Sequence, residues 1–392
     1  MKEHFQFSSS TLVRVAMVAM VIAISSACWA QYQILHHFAG APDGQNSTAS
    51  LAMGKGGKLY GTTRVGGANI GAQCPVGCGA IFSVDKKGVT EAVLHSFDGS
   101  RADGSIPSYG MVKDSAGNFY GVAAGSPGLI YKIDAAGTYS VIYQFSGDPA
   151  ADGAGPSAVL ARDSAGNLYG TTVMGGGPGH QGTIFKVDPA GKETILYSFT
   201  GGVDGADAET GVIRDGGGNL YGSTISGGQF NCGVIFKLTK AGKYTVLYNF
   251  TCGADGRHPQ GLVRDSAKNL YGVTDNTVFK LDAAGNLTTL YTFLGAADGG
   301  SPKGTLVRDS AGNLYGTTLF GGVACADSGV GCGVVFKVDP LGKETVLHAF
   351  KGSPTDGSLP QAGVIRDGAG KLYGTTLIGG TFSDGIVFKL TP

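Results

Sequence analysis

Charge is scarce in this chain: Asp, Glu, Lys and Arg together make up 15% of its 392 residues, against about a quarter in an average globular protein. What charge there is balances, 29 Lys and Arg against 29 Asp and Glu, so net charge gives no reason to expect nucleic acid or an anionic membrane as partner. Glutamate is scarcer still, with only Glu91, Glu193, Glu209 and Glu344 beyond residue 30, and the single tryptophan is Trp29. No apolar run after residue 24 approaches the roughly 20 residues of a membrane helix, so no transmembrane segment is expected. Glycine goes the other way: 69 of 392 residues, more than twice the usual roughly 7%. It follows no three-residue period, which excludes collagen, and the 42% of hydrophobic residues can build a core, which excludes a disordered linker.

Residues 1–30 read as a secretory signal peptide. Lys2 and Arg14 flank an apolar stretch at 15–24, and Ser25-Ser26-Ala27-Cys28-Trp29-Ala30 follows as a small-residue cleavage region. Cleavage after Ala30 predicts a secreted or periplasmic protein, with residues 31–392 as one domain. The alternative takes Ser25-Ser26-Ala27-Cys28 as a lipoprotein site and leaves the protein lipid-anchored through Cys28.

Internal repeats decide the fold class. Leu-Tyr-Gly recurs at Tyr60, Tyr169, Tyr221, Tyr271, Tyr315 and Tyr373, and once as Phe-Tyr-Gly at Tyr120. A second column holds Phe82, Tyr131, Phe185, Phe236, Phe279, Phe336 and Phe388; a third holds Phe38, Phe97, Phe145, Phe199, Phe250, Phe293 and Phe350. Each repeat alternates β-branched and aromatic residues between turn signals, which predicts four short strands, A to D. In the third repeat these are 158–162, 168–172, 183–187 and 194–199. Four strands per repeat of this length mark a β-propeller blade. The sequence from residue 31 opens on a lone D strand at 33–38 and stops on a C strand at 385–390, so the count completes only if the first strand joins the last three. The predicted fold is an all-β, seven-bladed propeller of four-stranded blades, closed by the N-terminal strand, which removes free sheet edges.

Spacing separates two faces. The A-to-B and C-to-D turns are nearly constant in length, whereas the distance from B-strand Tyr to C-strand aromatic runs from 8 residues in repeat five to 22 in repeat one. Variable loops on a rigid scaffold are where binding resides, so function is expected on the B-to-C and D-to-A face. There the non-repeated candidates for ligand contact are Asp207, Glu209, Asp275, Asp327, Asp384, His180 and His258. Glu91, Glu193 and Glu344 follow the C-to-D turn and are expected on the constant face. His36, His95 and His348 occupy the D-strand column that elsewhere holds Tyr, which assigns them to packing.

One acidic set is periodic: Asp43, Asp103, Asp152, Asp204, Asp255, Asp298 and Asp356, each followed by Gly in the D-to-A crossover. Two readings are open. Each Asp bonds its own turn backbone, or the carboxylates gather Ca²⁺, whose ligands are hard oxygens. No other cofactor is expected. Lys113, Arg162, Arg214, Arg264, Arg308 and Arg366 each precede a turn Asp, which predicts ion pairing between turns or blades. Six cysteines beyond residue 30 predict disulfides in an exported chain. Cys74 with Cys78 and Cys325 with Cys332 lie within single loops, and Cys232 and Cys252 lie symmetrically about the C-to-D turn. No histidine cluster completes a zinc site.

The Leu-Tyr-Gly-Thr-Thr, Gly-Gly and Val-Phe-Lys-Leu strings, as at 372–380 and 387–390, resemble the tandem repeat named after Gloeobacter and Verrucomicrobia. The resemblance spans the chain beyond the signal and implies an exported bacterial repeat protein. Members often carry a C-terminal sorting segment, whereas this sequence ends at Pro392. The strand order also looks like that of secreted, streptogramin-lyase-like propellers. Together these readings predict a monomeric, non-enzymatic protein that binds a glycan or a protein on its variable face. The alternative is a secreted lyase or hydrolase acting over the central channel, with Asp and His groups and a divalent metal.

Overall fold

The computed structural model describes residues 31–88, 91–148, 151–177, 179, 181–325 and 327–392. Residues 1–30, read above as a signal peptide and including Cys28, and His180 lie outside the described residues. The seven repeats form seven four-stranded antiparallel sheets, each ordered A-B-C-D. Blade three shows the pattern: Ala154–Arg162, Leu168–Met174, Thr183–Val187 and Glu193–Ser198. In the last blade, Ile365–Arg366, Leu372–Thr375 and Ile386–Thr391 are completed by the N-terminal strand Gln31–His37. That strand pairs with the C strand from Gln31↔Thr391 to His37↔Ile386, so the predicted circular closure is present. Among the described residues the only helical element is the 3₁₀ turn Lys55–Gly57, and no helix is long and apolar enough to cross a membrane.

The Leu-Tyr-Gly string is a packing unit. Its first residue is buried in every blade, from Leu59 to Leu372. In blades two to seven the Tyr hydroxyl donates to the carboxylate of the A-to-B turn Asp, as from Tyr120 to Asp114 and Tyr373 to Asp367. The Gly is there for close approach rather than for turning: a Cβ at Gly222 would lie 2.5 Å from Cζ of Phe236, and all seven equivalents meet their C-strand aromatic at 2.4 to 2.7 Å. Part of the glycine excess is therefore seats for rings, not turn punctuation.

Those seated rings join the blades. The Phe that ends each D strand meets the C-strand aromatic of the next blade edge to face, through Phe97–Tyr131, Phe145–Phe185, Phe199–Phe236, Phe250–Phe279, Phe293–Phe336, Phe350–Phe388 and Phe38–Phe82. Each contact adds about 0.5–1.5 kcal/mol to the area buried, and the seventh closes the circle.

Cations cross the same junctions on the constant face. The Arg before each turn Asp lies over the Leu-Tyr-Gly ring of an adjacent blade: Arg162 over Tyr120, Arg214 over Tyr169, Arg264 over Tyr221, Arg308 over Tyr271 and Arg366 over Tyr315. The expected pairing between blades is thus largely cation–π, with Arg162 also 4.0 Å from Asp114. Blade one has Met53 at the Arg position, and Lys86 fills the role, 5.2 Å from the Tyr373 ring centroid and 3.0 Å from Asp367. Lys113 departs from the column by donating to the Met53 carbonyl.

Candidate functional site

The end of the molecule that carries the variable loops is shaped by a corner that recurs in each D-to-A crossover. Every periodic Asp accepts from its own corner: Asp204 from the Tyr197 hydroxyl at 2.8 Å and the Thr200 N–H at 2.9 Å, Asp298 from Tyr291 and Leu294 in the same way. His36, His95 and His348 bond Asp43, Asp103 and Asp356 where other blades use Tyr. These histidines also pack, His95 stacked on Tyr139 and His348 on Tyr32. Asp43, Asp103, Asp152, Asp204, Asp255, Asp298 and Asp356 thus each bond their own turn, and Asp356 also accepts the Tyr32 hydroxyl of the N-terminal strand at 2.6 Å.

Glu91, Glu193 and Glu344 are not confined to the constant face. Each begins a D strand, and that outer strand carries a bulge in its pairing with the C strand, which increases its twist. The carboxyls interact with the crossover aspartates Asp43, Asp152 and Asp298. Burial and then Asp152 push Glu193 up to about 7, and burial and Asp298 do the same to Glu344. Glu91 joins His36 and Asp43, with ligand atoms within 4.8 Å; its parts are the His–Asp corner and the Glu–Asp contact that other junctions show separately.

Three residues after each Asp the backbone turns left-handed, at Asn46, Ile106, Gly155, Asp207, His258, Ser301 and Leu359, with φ between 52° and 63°. Only one of these is glycine, although an L-residue there is strained by about 1–2 kcal/mol. Hydrogen bonds to the flanking blades hold the corner: Ile106 N–H donates to Cys78 O, and Ile106 O accepts from Ala124 N–H. His258 and Leu359 likewise donate to Cys232 O and Cys332 O. Those three acceptors belong to the disulfides Cys74–Cys78, Cys232–Cys252 and Cys325–Cys332, all formed as expected, so the cross-links brace the corners. The next residue is proline in five blades. The rings of Pro107, Pro156, Pro259 and Pro360 lie against Gly79, Gly128, Gly233 and Gly333 of a neighbouring loop, where a Cβ would meet Cδ at 2.3 to 2.8 Å.

The consequence appears one residue further on. Five positions after the Asp stand Thr48, Ser108, Ser157, Glu209, Gln260, Lys303 and Gln361, polar in every blade. All except Ser157 line a central channel of about 1040 Å³ whose wall is the A strands; the Ser157 hydroxyl instead donates to Ala208 O at 3.0 Å. Of these, sequence reasoning singles out Glu209 alone. The signal is available as a column of constant polarity, but not of constant residue type.

Burial and then Asp207 raise the Glu209 carboxyl above its ordinary range, with Lys303 acting in the opposite direction. Tyr109, next to Ser108, is pushed up to about 12 by burial and Glu209, with Arg64 opposing. Asp207 accepts the Ser226 hydroxyl. His258 and Asp275, which no spacing connects, are in contact: Nδ1 lies 2.8 Å from the Asp275 carboxylate, which also pairs with Arg257 at 3.2 Å. Asp327, in the B-to-C loop of blade six, accepts the Ser353 N–H of the following D-to-A crossover at 2.7 Å. Asp384 is raised by burial and Asp43 and stands apart from the channel lining.

Solved structures with the same fold include a streptogramin B lyase (TM-score 0.63, 13% identity, covering 92% of this chain and 97% of the other). A catalytically inactive variant of virginiamycin B lyase from Staphylococcus aureus, solved with quinupristin, is equally similar (TM-score 0.62, 14% identity, 93% and 99% covered). The extracellular domain assigned to a one-component system of B. thetaiotaomicron matches over 92% of this chain and 41% of the other, with TM-score 0.57 and 14% identity. At these identities the likeness establishes the propeller and no activity. No curated protein matches in sequence. The model of the Gloeobacter/Verrucomicrobia repeat matches residues 21–147, 124–277 and 275–392, and since those spans take in every blade, the chain belongs to the Gloeobacter/Verrucomicrobia repeat family.

Proposed function

We propose that the protein is an exported, non-enzymatic binding propeller that holds a glycan at the mouth of its channel. The polar ring at Thr48, Ser108, Gln260 and Gln361 carries this reading. Thr48 gives its proton to Ser108 O and Gln260 Oε1 accepts the Gly304 N–H, which leaves the Thr48 oxygen as acceptor and the Gln260 amide N–H groups as donors, the mixture a polyhydroxylated ligand requires. They sit on strands and braced corners rather than on free loops, so their positions are fixed before the ligand arrives. Exposed apolar side chains in the B-to-C loops, among them Ile70, Val76, Phe230 and Phe382, offer a surface on which sugar C–H faces can rest. Three disulfides support an oxidising compartment, hence export with residues 1–30 removed and 31–392 retained as one domain. A glycan array read with the wild type and with the Gln260→Ala/Gln361→Ala double variant tests the proposal. Signals lost in the variant at unchanged melting temperature support it; an array without signal overturns it.

A second reading, a secreted lyase or hydrolase, is favoured by one observation: the His258 imidazole is oriented by Asp275 two residues before the ring member Gln260. A carboxylate-held imidazole can serve as a general base, and this one is on the same segment as the channel-lining Gln260. Mass spectrometry of any glycan that binds separates the two. Cleavage by the wild type that His258→Ala and Asp275→Asn both abolish replaces binding by catalysis.

A further inference from the structure

Charge is divided unevenly between the chain and its channel. The whole sequence carries 29 residues of each sign, yet the side chains lining the channel include Arg64, Arg162, Arg214 and Lys303 against one carboxyl, Glu209. Arg162 and Arg214 are occupied at the blade junctions, over Tyr120 and Tyr169. Arg64 and Lys303 are different. Among the described residues neither side chain makes a hydrogen bond or an ion pair. No aspartate belongs to the lining, and its one carboxyl, Glu209, interacts with Lys303.

Both cations sit on fixed backbone. Arg64 directly follows the B strand Leu59–Thr63, and its N–H donates to Asn46 O at 3.2 Å. Lys303 lies within the A strand Gly300–Arg308 and is the blade-six member of the polar ring. Four cationic side chains against one carboxyl bias the lining of the channel towards positive potential, and the backbone that carries Arg64 and Lys303 is fixed. A guanidinium also matches the two oxygens of a carboxylate or a sulfate ester. The ring supplies the neutral donors and acceptors around them.

We infer that the channel takes an anionic oligosaccharide, whose carboxylate or sulfate groups meet Arg64 and Lys303 while its hydroxyls meet the polar ring. This rests on the channel being the ligand site, and adds the sign of charge and the two residues that select it. Neither source of negative charge is distinguished by the two cations, so both enter the test.

Calorimetric titration of the wild type compares trigalacturonate, its fully methyl-esterified and therefore neutral form, and a sulfated trisaccharide. At least one acidic sugar is expected to bind about tenfold or more tighter than the ester, and to weaken as salt rises from about 50 to about 300 mM. Whichever does so names the charged group. Arg64→Gln and Lys303→Gln should each remove most of that preference, whereas Gln260→Ala should weaken acidic and neutral sugars alike. The inference is overturned if the ester binds as tightly as the acids, if no acidic sugar binds, or if both charge variants keep the preference. Neutral glycans captured on the array and lost in the Gln260/Gln361 variant would then leave the site standing and remove only its charge selectivity. Should a charge variant fail to fold, the wild-type salt dependence and the ester comparison still decide.

Discussion

The ring of Phe38 stands edge-on to the ring of Phe82, centroids 5.0 Å apart and planes at 72°. This contact joins the end of the N-terminal strand to blade one and completes the circle of interblade aromatic pairs. If the circle is a structural unit, its seam contributes as much as its interior. Phe38→Ala should therefore cost about 3–5 kcal/mol, the usual range for emptying a buried Phe site, and Phe250→Ala, deep within blades four and five, a similar amount. Chemical denaturation measures both. A Phe38 variant as stable as wild type would mean that the N-terminal strand is an appendage and the ring closes without it.

Gly222 and Phe236 make the corresponding test inside one blade. An added methyl at Gly222 would stand 2.5 Å from the Phe236 ring, and the Gly211 carbonyl at 2.8 Å blocks escape. Gly222→Ala should destabilise by about 1–3 kcal/mol or more through overpacking. Gly216, in the exposed A-to-B turn of the same blade, has no left-handed φ, and a methyl added there would meet nothing within 4 Å. Gly216→Ala should be neutral, so unequal melting temperatures are expected, and equal ones would remove the ring-seat explanation.

The seam, the ring seats and the channel differ in how legible they are in the sequence. Blade number, strand order and closure can be read because Tyr60 to Tyr373 and Phe38 to Phe350 repeat as identical or near-identical letters, and because turn residues punctuate them. The disulfides can be read because loop membership and symmetry about Gly242 restrict partners. The ring of Thr48, Ser108, Gln260, Lys303 and Gln361 escapes, since its members share a place and a polarity but no chemistry that one motif describes. His258 and Asp275 are both named by the sequence, but their contact escapes it for another reason. Their contact depends on a left-handed corner at His258, and a φ value is not written in a sequence that carries His there instead of Gly. Spacing places the three D-strand glutamates beside the C-to-D turn, where their backbone pairs with Val84, Val187 and Val338, but it does not show that their carboxyls reach the crossover aspartates.

Glu193 and Glu344 make stability depend on pH with a defined sign. Both titrate near 7 in the folded protein, raised by burial and by Asp152 or Asp298, whereas an unfolded Glu titrates near 4.5. Below that unfolded value both states hold the proton and no penalty exists. As pH rises towards 7 the unfolded chain ionises freely while the native one resists, so native stability declines and then levels off. Glu193→Gln and Glu344→Gln should therefore raise the melting temperature at pH 8 and leave it nearly unchanged at pH 4.5. Partial exposure of both groups keeps the gain small. An equal effect at both pH values would show that the neighbouring carboxylates do not interact.

Ile106 places a β-branched side chain at φ 56°, in a chain that supplies glycine at most of its other left-handed positions. The backbone penalty there is about 1–2 kcal/mol, and Pro107 directly after it adds its own restriction on the preceding residue. Ile106 is 36% exposed, so its burial returns little of that cost. Asn populates the left-handed region far more readily than Ile, as Asn46 does at the equivalent corner. Ile106→Asn should accordingly raise stability by about 1 kcal/mol in urea denaturation, the reverse of the usual effect of replacing a hydrophobic residue. Ile106 also lines the channel. A variant that is more stable yet weakens any glycan binding found for the wild type would show that the strain is retained for the side chain it presents, whereas a destabilised variant would count against strain at this corner.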